Sequence, residues 1–324
     1  MPNRYYSGQL TDHFNGKQFY HAGLLSTDKS LLDLLRWKIF GKQAPWPVTI
    51  PARSGLKPAP RVDGLRITAI GHSSMLIQVA ATNILVDPVW SERASPFKWT
   101  GPRRHNPPAI ALADLPPIHA VLVSHNHYDH MDLPTLRKVR TRWSPPVATG
   151  LGNAHHLAKA GIRSAVELDW WQTTELAGAR VTYVPAQHFS SRGLYDRNRC
   201  LWGGFVVEAE GAVVYFAGDS GYCPHFAEIG RKFPRIDLAL LPIGAYEPRW
   251  FMRQQHVNPQ EAVQAHLDLK ARRSLGMHFG TFQLTDEAID APVLALRQAQ
   301  AMTGVANTEF DVLAFGETRQ YPAQ

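Results

Sequence analysis

The segment SHNHYDHMD at 124–132 constrains this chain most, because it directly follows the apolar run AVLV at 120–123. In extended or tightly looped backbone, alternate residues point to one side, so His125, His127 and Asp129 share a side that neighbouring His130 can also reach. Burying such a cluster without a cation would leave charges and hydrogen-bond donors unpaired. The segment therefore predicts a metal site at the end of a buried strand.

The rest of the ligands must come from later in the chain, since two neighbouring ions need about six to eight protein ligands and the segment supplies four. Three candidates each end an apolar run, namely His188 after VTYVPAQ, Asp219 after VVYFAG and His278 after SLGM. Glycine and serine flank Asp219, so the backbone can approach closely there and the carboxylate could bridge both ions. Taken alone, each later residue could instead be a buried polar group with satisfied hydrogen bonds.

The order of β-rich and helical patterns predicts sheets covered by helices in one integrated domain over residues 61–324. Helical patterns lie between and after the strand patterns, at 133–140, 152–160, 224–232, 259–269 and 286–300. The predicted strands are LRITAIG (65–71), SMLIQV (74–79), NILVD (83–87), AVLVSH (120–125), RVTYVPA (180–186), GGFVVE (203–208), AVVYFAG (212–218) and DLALLPIG (237–244).

Residues 1–60 are predicted to form an arm that packs on this domain. One helix over 30–40 begins at the capping residue Ser30 and stops at Gly41. This helix could face the core or an interface. Five prolines between Pro45 and Pro60 then predict an extended strap.

Longer motifs extend the metal signal into a family resemblance. HNHYDH at 125–130 resembles the metal-binding signature of the metallo-β-lactamase superfamily, and His188, Asp219 and His278 follow in the order which that superfamily uses. The blocks ASPFKWTGPRR (94–104), LLPIGAYEPRWFMRQQHVNPQEAVQAH (240–266) and HFGTF (278–282) resemble the N-acyl-phosphatidylethanolamine-hydrolysing phospholipase D family. The resemblance runs from about residue 61 to the end of the chain.

That resemblance implies an αβ/βα four-layer sandwich that carries two Zn²⁺ per chain, with iron or manganese as alternatives. One ion would be held by His125, His127 and His188, the other by Asp129, His130 and His278, and Asp219 would bridge them. The implied reaction is hydrolysis of N-acyl-phosphatidylethanolamine or a related phosphodiester through a metal-bridging hydroxide. Its products are an N-acylethanolamine and phosphatidic acid.

Three residues are candidates for the catalytic step. Asp129 would orient the hydroxide and accept its proton, while Asp219 would hold both ions. His256, in FMRQQHVNPQ, stays outside the seven-ligand set and is predicted to bind phosphate or to protonate the leaving group. Capping or packing is the alternative role for His256.

Charge and composition favour anionic partners, because 34 Lys and Arg stand against 27 Asp and Glu. The loop SERASPFKWTGPRRHNPP at 91–108 alternates rings and cations, which suits contact with lipid headgroups or a protein interface. Two cysteines and an N-terminus without a secretory pattern predict a cytoplasmic protein, with peripheral contact at the inner membrane face. A homodimer is left open.

Two other functions remain open on the residues alone. The same metal pair could attack a carbonyl carbon, which would make the protein a lactonase or a related carboxyl hydrolase. Nucleic-acid binding or cleavage is the third class, but the basic residues are spread along the chain rather than clustered. No nucleic-acid partner is therefore expected.

Overall fold

The computed structural model describes residues 2–51 and 55–321, which fold into helices and strands with the following bounds. The strands are β1 Leu65–Gly71, β2 Ser74–Val79, β3 Thr82–Val86, β4 Ala120–Val123, β5 Val147–Gly150, β6 Val166–Leu168, β7 Thr173–Leu176, β8 Ala179–Val184, β9 Gly204–Ala209, β10 Ala212–Phe216, β11 Leu238–Pro242, β12 Ser274–Met277, β13 Phe310–Val312 and β14 Thr318–Tyr321. The α-helices are α1 Leu31–Phe40, α2 Leu133–Trp143, α3 Ala154–Leu157, α4 His225–Lys232, α5 Arg249–Met252, α6 Pro259–Leu269 and α7 Ala291–Thr303, with 3₁₀ turns at Leu112–Asp114 and Ala158–Ala160.

The described strands pair into two sheets of seven, in the orders β14-β1-β2-β3-β4-β5-β6 and β13-β12-β11-β10-β9-β8-β7. In the first sheet, β1, β2 and β3 are antiparallel neighbours, whereas β3 to β6 run parallel. The second sheet repeats this plan, with β7 to β10 antiparallel and β10 to β13 parallel. The two halves of the chain therefore share a strand topology, although no repeat in the sequence predicts it.

The two sheets face each other across the main core. A cluster of buried side chains joins Ile77 and Leu122 of the first sheet to Phe205 and Leu240 of the second. A second cluster packs the outer face of the first sheet against α2 and α3, while α4, α6 and α7 pack together beside β11 of the second sheet. Helices, sheet, sheet and helices form four layers, so the predicted αβ/βα sandwich is confirmed.

The N-terminal segment packs closely on these layers. Phe14 and Phe19 are almost fully buried and belong to the core between the sheets. Helix α1 begins at a reciprocal capping box between Ser30 and Asp33 and ends at Gly41, as predicted. Within the strap predicted between Pro45 and Pro60, Trp46 donates to the Glu287 carbonyl, and Gln43 just before it donates to the Thr285 carbonyl. Residues 52–54 of this strap lie outside the described residues. The division at residue 60 stays a prediction.

Among the helices of the described residues, none combines the length and the apolar character that crossing a bilayer requires.

Candidate metal centre

The seven predicted ligands come from four loops that follow strand ends. His125 to His130 follow β4, His188 follows β8, Asp219 follows β10 and His278 follows β12. Both sheets contribute, since β4 belongs to the first sheet and β8, β10 and β12 belong to the second. All seven side chains are brought together there, within two groups of mutually close ligand atoms.

The first group contains His125, His127, His188 and Asp219. His127 Nδ1 lies 2.9 Å from His125 Nε2 and 3.2 Å from His188 Nε2. Asp219 Oδ2 completes the group at 3.9 Å from His125 Nε2 and 3.7 Å from His188 Nε2. Three imidazole nitrogens and a carboxylate oxygen thus surround one point.

The second group contains Asp129, His130 and His278, together with His72. Asp129 Oδ2 lies 3.6 Å from His130 Nε2, 3.3 Å from His278 Nε2 and 3.1 Å from His72 Nε2. Asp219 Oδ2 also reaches this group, at 3.1 Å from the Nε2 atoms of both His130 and His278. One oxygen of Asp219 is therefore shared by the two groups, which is the geometry of a bridging ligand.

The backbone at Asp219 explains how its carboxylate reaches this position. The preceding residue, Gly218, has φ of 61°, and a Cβ there would lie only 2.7 Å from the Gly203 carbonyl oxygen. Only glycine fits such an approach without a shift of the neighbouring strand loop. The close approach that the sequence suggested around Asp219 is observed.

Buried partners fix which nitrogen each histidine presents. Asp87 accepts from His130 Nδ1 at 2.7 Å, and the Gln255 carbonyl accepts from His188 Nδ1 at 2.9 Å. Ser124 Oγ lies 2.9 Å from His125 Nδ1 and donates to Asp87. These three rings consequently turn Nε2 towards the centre, as second-layer partners of metal-bound histidines do.

His72 and Asp87 belong to the site but were missed by the sequence interpretation. His72 lies between β1 and β2 with φ of 53°, a strained value for a side chain with a Cβ. Its backbone is held by Thr281 Oγ1, which accepts from the His72 N–H, and by the N–H of His278, which donates to the His72 carbonyl. His72 and Asp87 each end an apolar run, which is the same sequence signal that selected His188 and Asp219.

Electrostatics differ between the groups. Burial lowers the pKa of His127 and of His188 to about 3, so both rings are neutral at pH 7. Burial opposes ionisation of His130 and His278 too, but the nearby carboxylates raise the pKa of His130 well above its usual value and that of His278 to about 9. These imidazolium groups in turn hold the pKa of Asp219 well below its usual range, against the effect of burial.

The donor set fits divalent cations. Two imidazole nitrogens bound to one tetrahedral zinc at 2.0–2.1 Å lie about 3.3 Å apart, close to the separations within the first group. Within the described part of the chain, His130 Nε2, His278 Nε2 and Asp219 Oδ1 are buried without a hydrogen-bond partner. Cations at the two groups would satisfy these atoms and replace the protons on His130 and His278.

His256 lies beside both groups and forms a third set of mutually close ligand atoms with Asp219 and His278. Its ring centroid is 5.1 Å from that of His188 and 5.3 Å from that of His278, and its Nδ1 has no partner among the described residues. Burial, and secondarily the two neighbouring imidazoles, lower the pKa of His256 well below its usual value, although Asp219 opposes this. The ring is thus a neutral group adjacent to the centre.

Tyr128 and the first part of the 91–108 loop line a cavity together with Arg192. The Tyr128 hydroxyl donates to the Arg192 carbonyl, and the Arg192 guanidinium lies 4.0 Å above its ring. Arg104 is partly buried, and its guanidinium donates to the carbonyl oxygens of Ser91, Asn106 and Val89. Phe97 and Trp99 are exposed and contact each other.

The chain belongs to the metallo-β-lactamase superfamily. A family model described as the β-lactamase superfamily domain matches residues 82–279. This range contains all seven predicted ligands. With the two ligand groups, this membership defines the protein as a metal-dependent hydrolase. The predicted superfamily and enzyme class are confirmed.

Within the superfamily, the chain is similar to phospholipase D enzymes. It is 38% identical to N-acyl-phosphatidylethanolamine-hydrolyzing phospholipase D 1 of Caenorhabditis elegans, over 78% of this chain and 75% of that protein. It is 35% identical to the mitochondrial enzyme of the same name from Saccharomyces cerevisiae, over 68% of this chain and 48% of that protein. An isothiocyanate hydrolase from Delia radicum gut bacteria shares the fold, with a TM-score of 0.63 and 18% identity, over 80% of this chain and 100% of that one.

Proposed function

We propose that the protein is a zinc-dependent phosphodiesterase of phospholipase D type. The substrate would be N-acyl-phosphatidylethanolamine or a related phosphodiester, and the products an N-acylethanolamine and phosphatidic acid. The observation that carries the proposal is the pair of ligand groups joined at Asp219, in a chain 38% identical to a lipase of this type. Iron and manganese accept the same nitrogen and oxygen donors.

The proposed chemistry divides between the cations and the chain. Two bound cations would make a water molecule nucleophilic near neutral pH and neutralise charge that develops on a phosphoryl oxygen. Asp129 faces the histidines of the second group through Oδ2 and receives an additional hydrogen bond from His72. This hydrogen bond would fix the Asp129 carboxylate in a position to orient the attacking water and to accept its proton.

His256 would act on the phosphate or on the leaving alkoxide. A neutral buried imidazole donates an N–H hydrogen bond readily, whereas protonation of an alkoxide would need a proton that its environment disfavours. We therefore favour phosphate binding. His256→Ala with an unchanged metal content should slow turnover by about 10²-fold, while His256→Gln, which keeps a donor, should recover part of it. Wild-type turnover of His256→Ala at saturating substrate would remove this role.

Product analysis in isotopically labelled water tests the reaction type. Attack on phosphorus breaks the bond between phosphorus and the ethanolamine oxygen, so ¹⁸O from water should appear in phosphatidic acid. Attack on a carbonyl carbon would place ¹⁸O in a released carboxylic acid instead. The assay should pair N-acyl-phosphatidylethanolamine with a lactone panel and labelled RNA, each with and without chelator. Turnover of a lactone alone would replace the phosphodiesterase by a carboxyl hydrolase.

Metal content and location complete the proposal. Elemental analysis after gentle purification should find about two zinc ions per chain, and iron or manganese at that stoichiometry would change the cofactor but not the mechanism.

We also propose a cytoplasmic location, which the two unpaired, buried cysteines support. Contact with the inner membrane face through exposed Phe97 and Trp99 belongs to the same proposal.

A further inference from the structure

Helix α1 has its apolar side turned towards solvent. Leu31 is 78% exposed, Leu32 76%, Leu35 54% and Ile39 68%. Residues 31, 35 and 39 are spaced by four and share one face of the helix, with residue 32 beside them. Within Leu31–Phe40, all of which the structure describes, Trp37 is the one buried side chain, and it lies on the opposite face. We call Leu31, Leu32, Leu35 and Ile39 the apolar stripe.

Cations border the apolar stripe on both sides. At 3.6 residues per turn, Arg36 lies on one flank of the stripe and Lys38 on the other. The Arg36 guanidinium stacks 4.9 Å above the ring of half-exposed Trp250, and Lys38 stacks 4.6 Å above Trp37. A surface helix of a water-soluble domain has the reverse arrangement, with polar residues outside. Apolar residues flanked by cations are the pattern of a helix that lies in a membrane interface.

The buried side of α1 ties this helix to the metal centre. Trp37 packs against Phe251 and Met252 of α5, and its Nε1 donates to Asp286 at 2.9 Å. The chain continues directly from α5 to Gln255, whose carbonyl accepts from the His188 ring, and to His256. A partner that binds the apolar stripe would therefore lie on the outer side of the segment from α5 to His256, which lines the metal centre.

We propose that α1 docks the protein on an anionic lipid bilayer, with the apolar stripe inserted at the acyl boundary and Arg36 and Lys38 at lipid phosphates. Charge complementarity favours this occupant over a second copy of the chain. An interface of two identical stripes would bring Arg36 and Lys38 of both copies close together, and like charges in contact oppose association. The inference does not depend on the substrate, since vesicles without N-acylated lipid are sufficient to test it.

Vesicle sedimentation provides the test, with phosphatidylcholine vesicles compared with vesicles that also contain phosphatidylglycerol. The wild-type protein should bind the anionic vesicles, and Leu31→Glu/Leu35→Glu should weaken binding by about tenfold or more. The matched control is Leu294→Glu/Met302→Glu on α7, where the side chains are 56% and 76% exposed, and it should bind like the wild type. Arg36→Gln/Lys38→Gln should lose most of the preference for anionic vesicles.

Thermal unfolding midpoints and metal content should match the wild type in all variants, because the substituted side chains lie outside the core. A Leu35→Cys variant carrying an environment-sensitive probe provides a second readout, and its emission should shift to the blue on anionic vesicles. Equal binding by the wild type and Leu31→Glu/Leu35→Glu would overturn the proposal. So would loss of binding only in Lys98→Gln/Trp99→Ala, or a dimer in gel filtration that Leu31→Glu/Leu35→Glu dissociates without any vesicle binding.

Discussion

Two clusters of histidines in this protein, one at the metal centre and one around Trp170, use the same side chain in different ways. At the metal centre, imidazole nitrogens converge on one another at about 3 Å and surround the shared oxygen of Asp219. Around Trp170, in contrast, rings stack face to face: the His21 ring lies 4.4 Å from the Trp170 ring at 13°, and the His13 ring 4.7 Å away at 28°.

The nitrogens of the second cluster already have protein partners. His21 Nε2 donates to the Ala186 carbonyl at 2.5 Å, and His13 Nε2 pairs with Asp169 at 2.7 Å. His225 Nε2 lies 3.3 Å from His21 Nδ1. Stacked rings with satisfied nitrogens stabilise the packing of the N-terminal segment, whereas convergent nitrogens with orphaned atoms form groups that could hold cations. The count of histidines alone does not distinguish these uses.

Asp219→Ala should produce the largest difference between the clusters. Loss of the shared ligand should lower kcat/KM by roughly a thousandfold, about 4 kcal/mol of transition-state stabilisation, and should reduce the bound metal measured by elemental analysis. Asp169→Asn changes a carboxylate of the Trp170 cluster and provides the matched control. Comparable activity losses in the two variants would mean that the clusters are not functionally distinct.

Asp87→Asn tests whether the partner of His130 helps to hold the cation. The asparagine keeps the shape but removes the charge that receives the His130 Nδ1 proton. Metal affinity, measured by competition with a chromophoric chelator, should fall by about 10–100-fold. Asp87 is linked to the first group indirectly, through Ser124 beside His125, so affinity for the first cation should fall less. An equal loss of affinity for both ions would contradict the separation into two groups.

His72→Ala should have a smaller effect, because His72 acts through Asp129. Without the hydrogen bond at 3.1 Å, Asp129 should become less well ordered and kcat should fall by about tenfold. The metal dissociation rate of the second group should rise in parallel, which a purely structural role would not produce. His72→Gln, with its amide donor, should restore part of both values, and failure of this rescue with normal folding would assign His72 to packing.

His21 should have the smallest effect on activity, and its contribution to the free energy of unfolding depends on pH. Burial, together with nearby His225 and His13, lowers the pKa of His21 to about 4 in the folded protein, whereas the unfolded chain has the usual value near 6.5. The unfolded state therefore binds more protons between these values, and stability is lost as the pH falls from about 6.5 to about 4, by about 2–3 kcal/mol for this group.

Urea unfolding across this pH range checks the prediction. His21→Gln removes the titration, so its stability should fall less steeply with decreasing pH than that of the wild type. The comparison isolates His21, because the metal centre is the same in both proteins. If the stability of the wild type and of His21→Gln changed with pH in the same way, protonation of the stacked His21 ring would not lower the free energy of unfolding.

Local pattern predicted much of the fold. Strands β1 and β2 and helix α6 have the predicted bounds, since their apolar periodicity and caps lie within the segment itself. The last helix begins at Ala291 rather than residue 286, because Pro292 suits its first turn and Asp286 is used to bind Trp37. Strands β5, β6, β7, β12, β13 and β14 were not predicted, since each has only three or four residues and is specified by neighbours distant in sequence.

The sequence by itself determined that HNHYDH and three later polar residues end apolar strands, because strand ends and ligand chemistry are written locally. It did not indicate that His72, 57 residues before Asp129, would hold that carboxylate, nor that His21 would stack on Trp170. Those contacts join segments that lie far apart in the sequence, and no sequence pattern relates one segment to the other. Only the meeting of two sheets at one edge decided which histidines converge on cations and which stack in the packing of the arm.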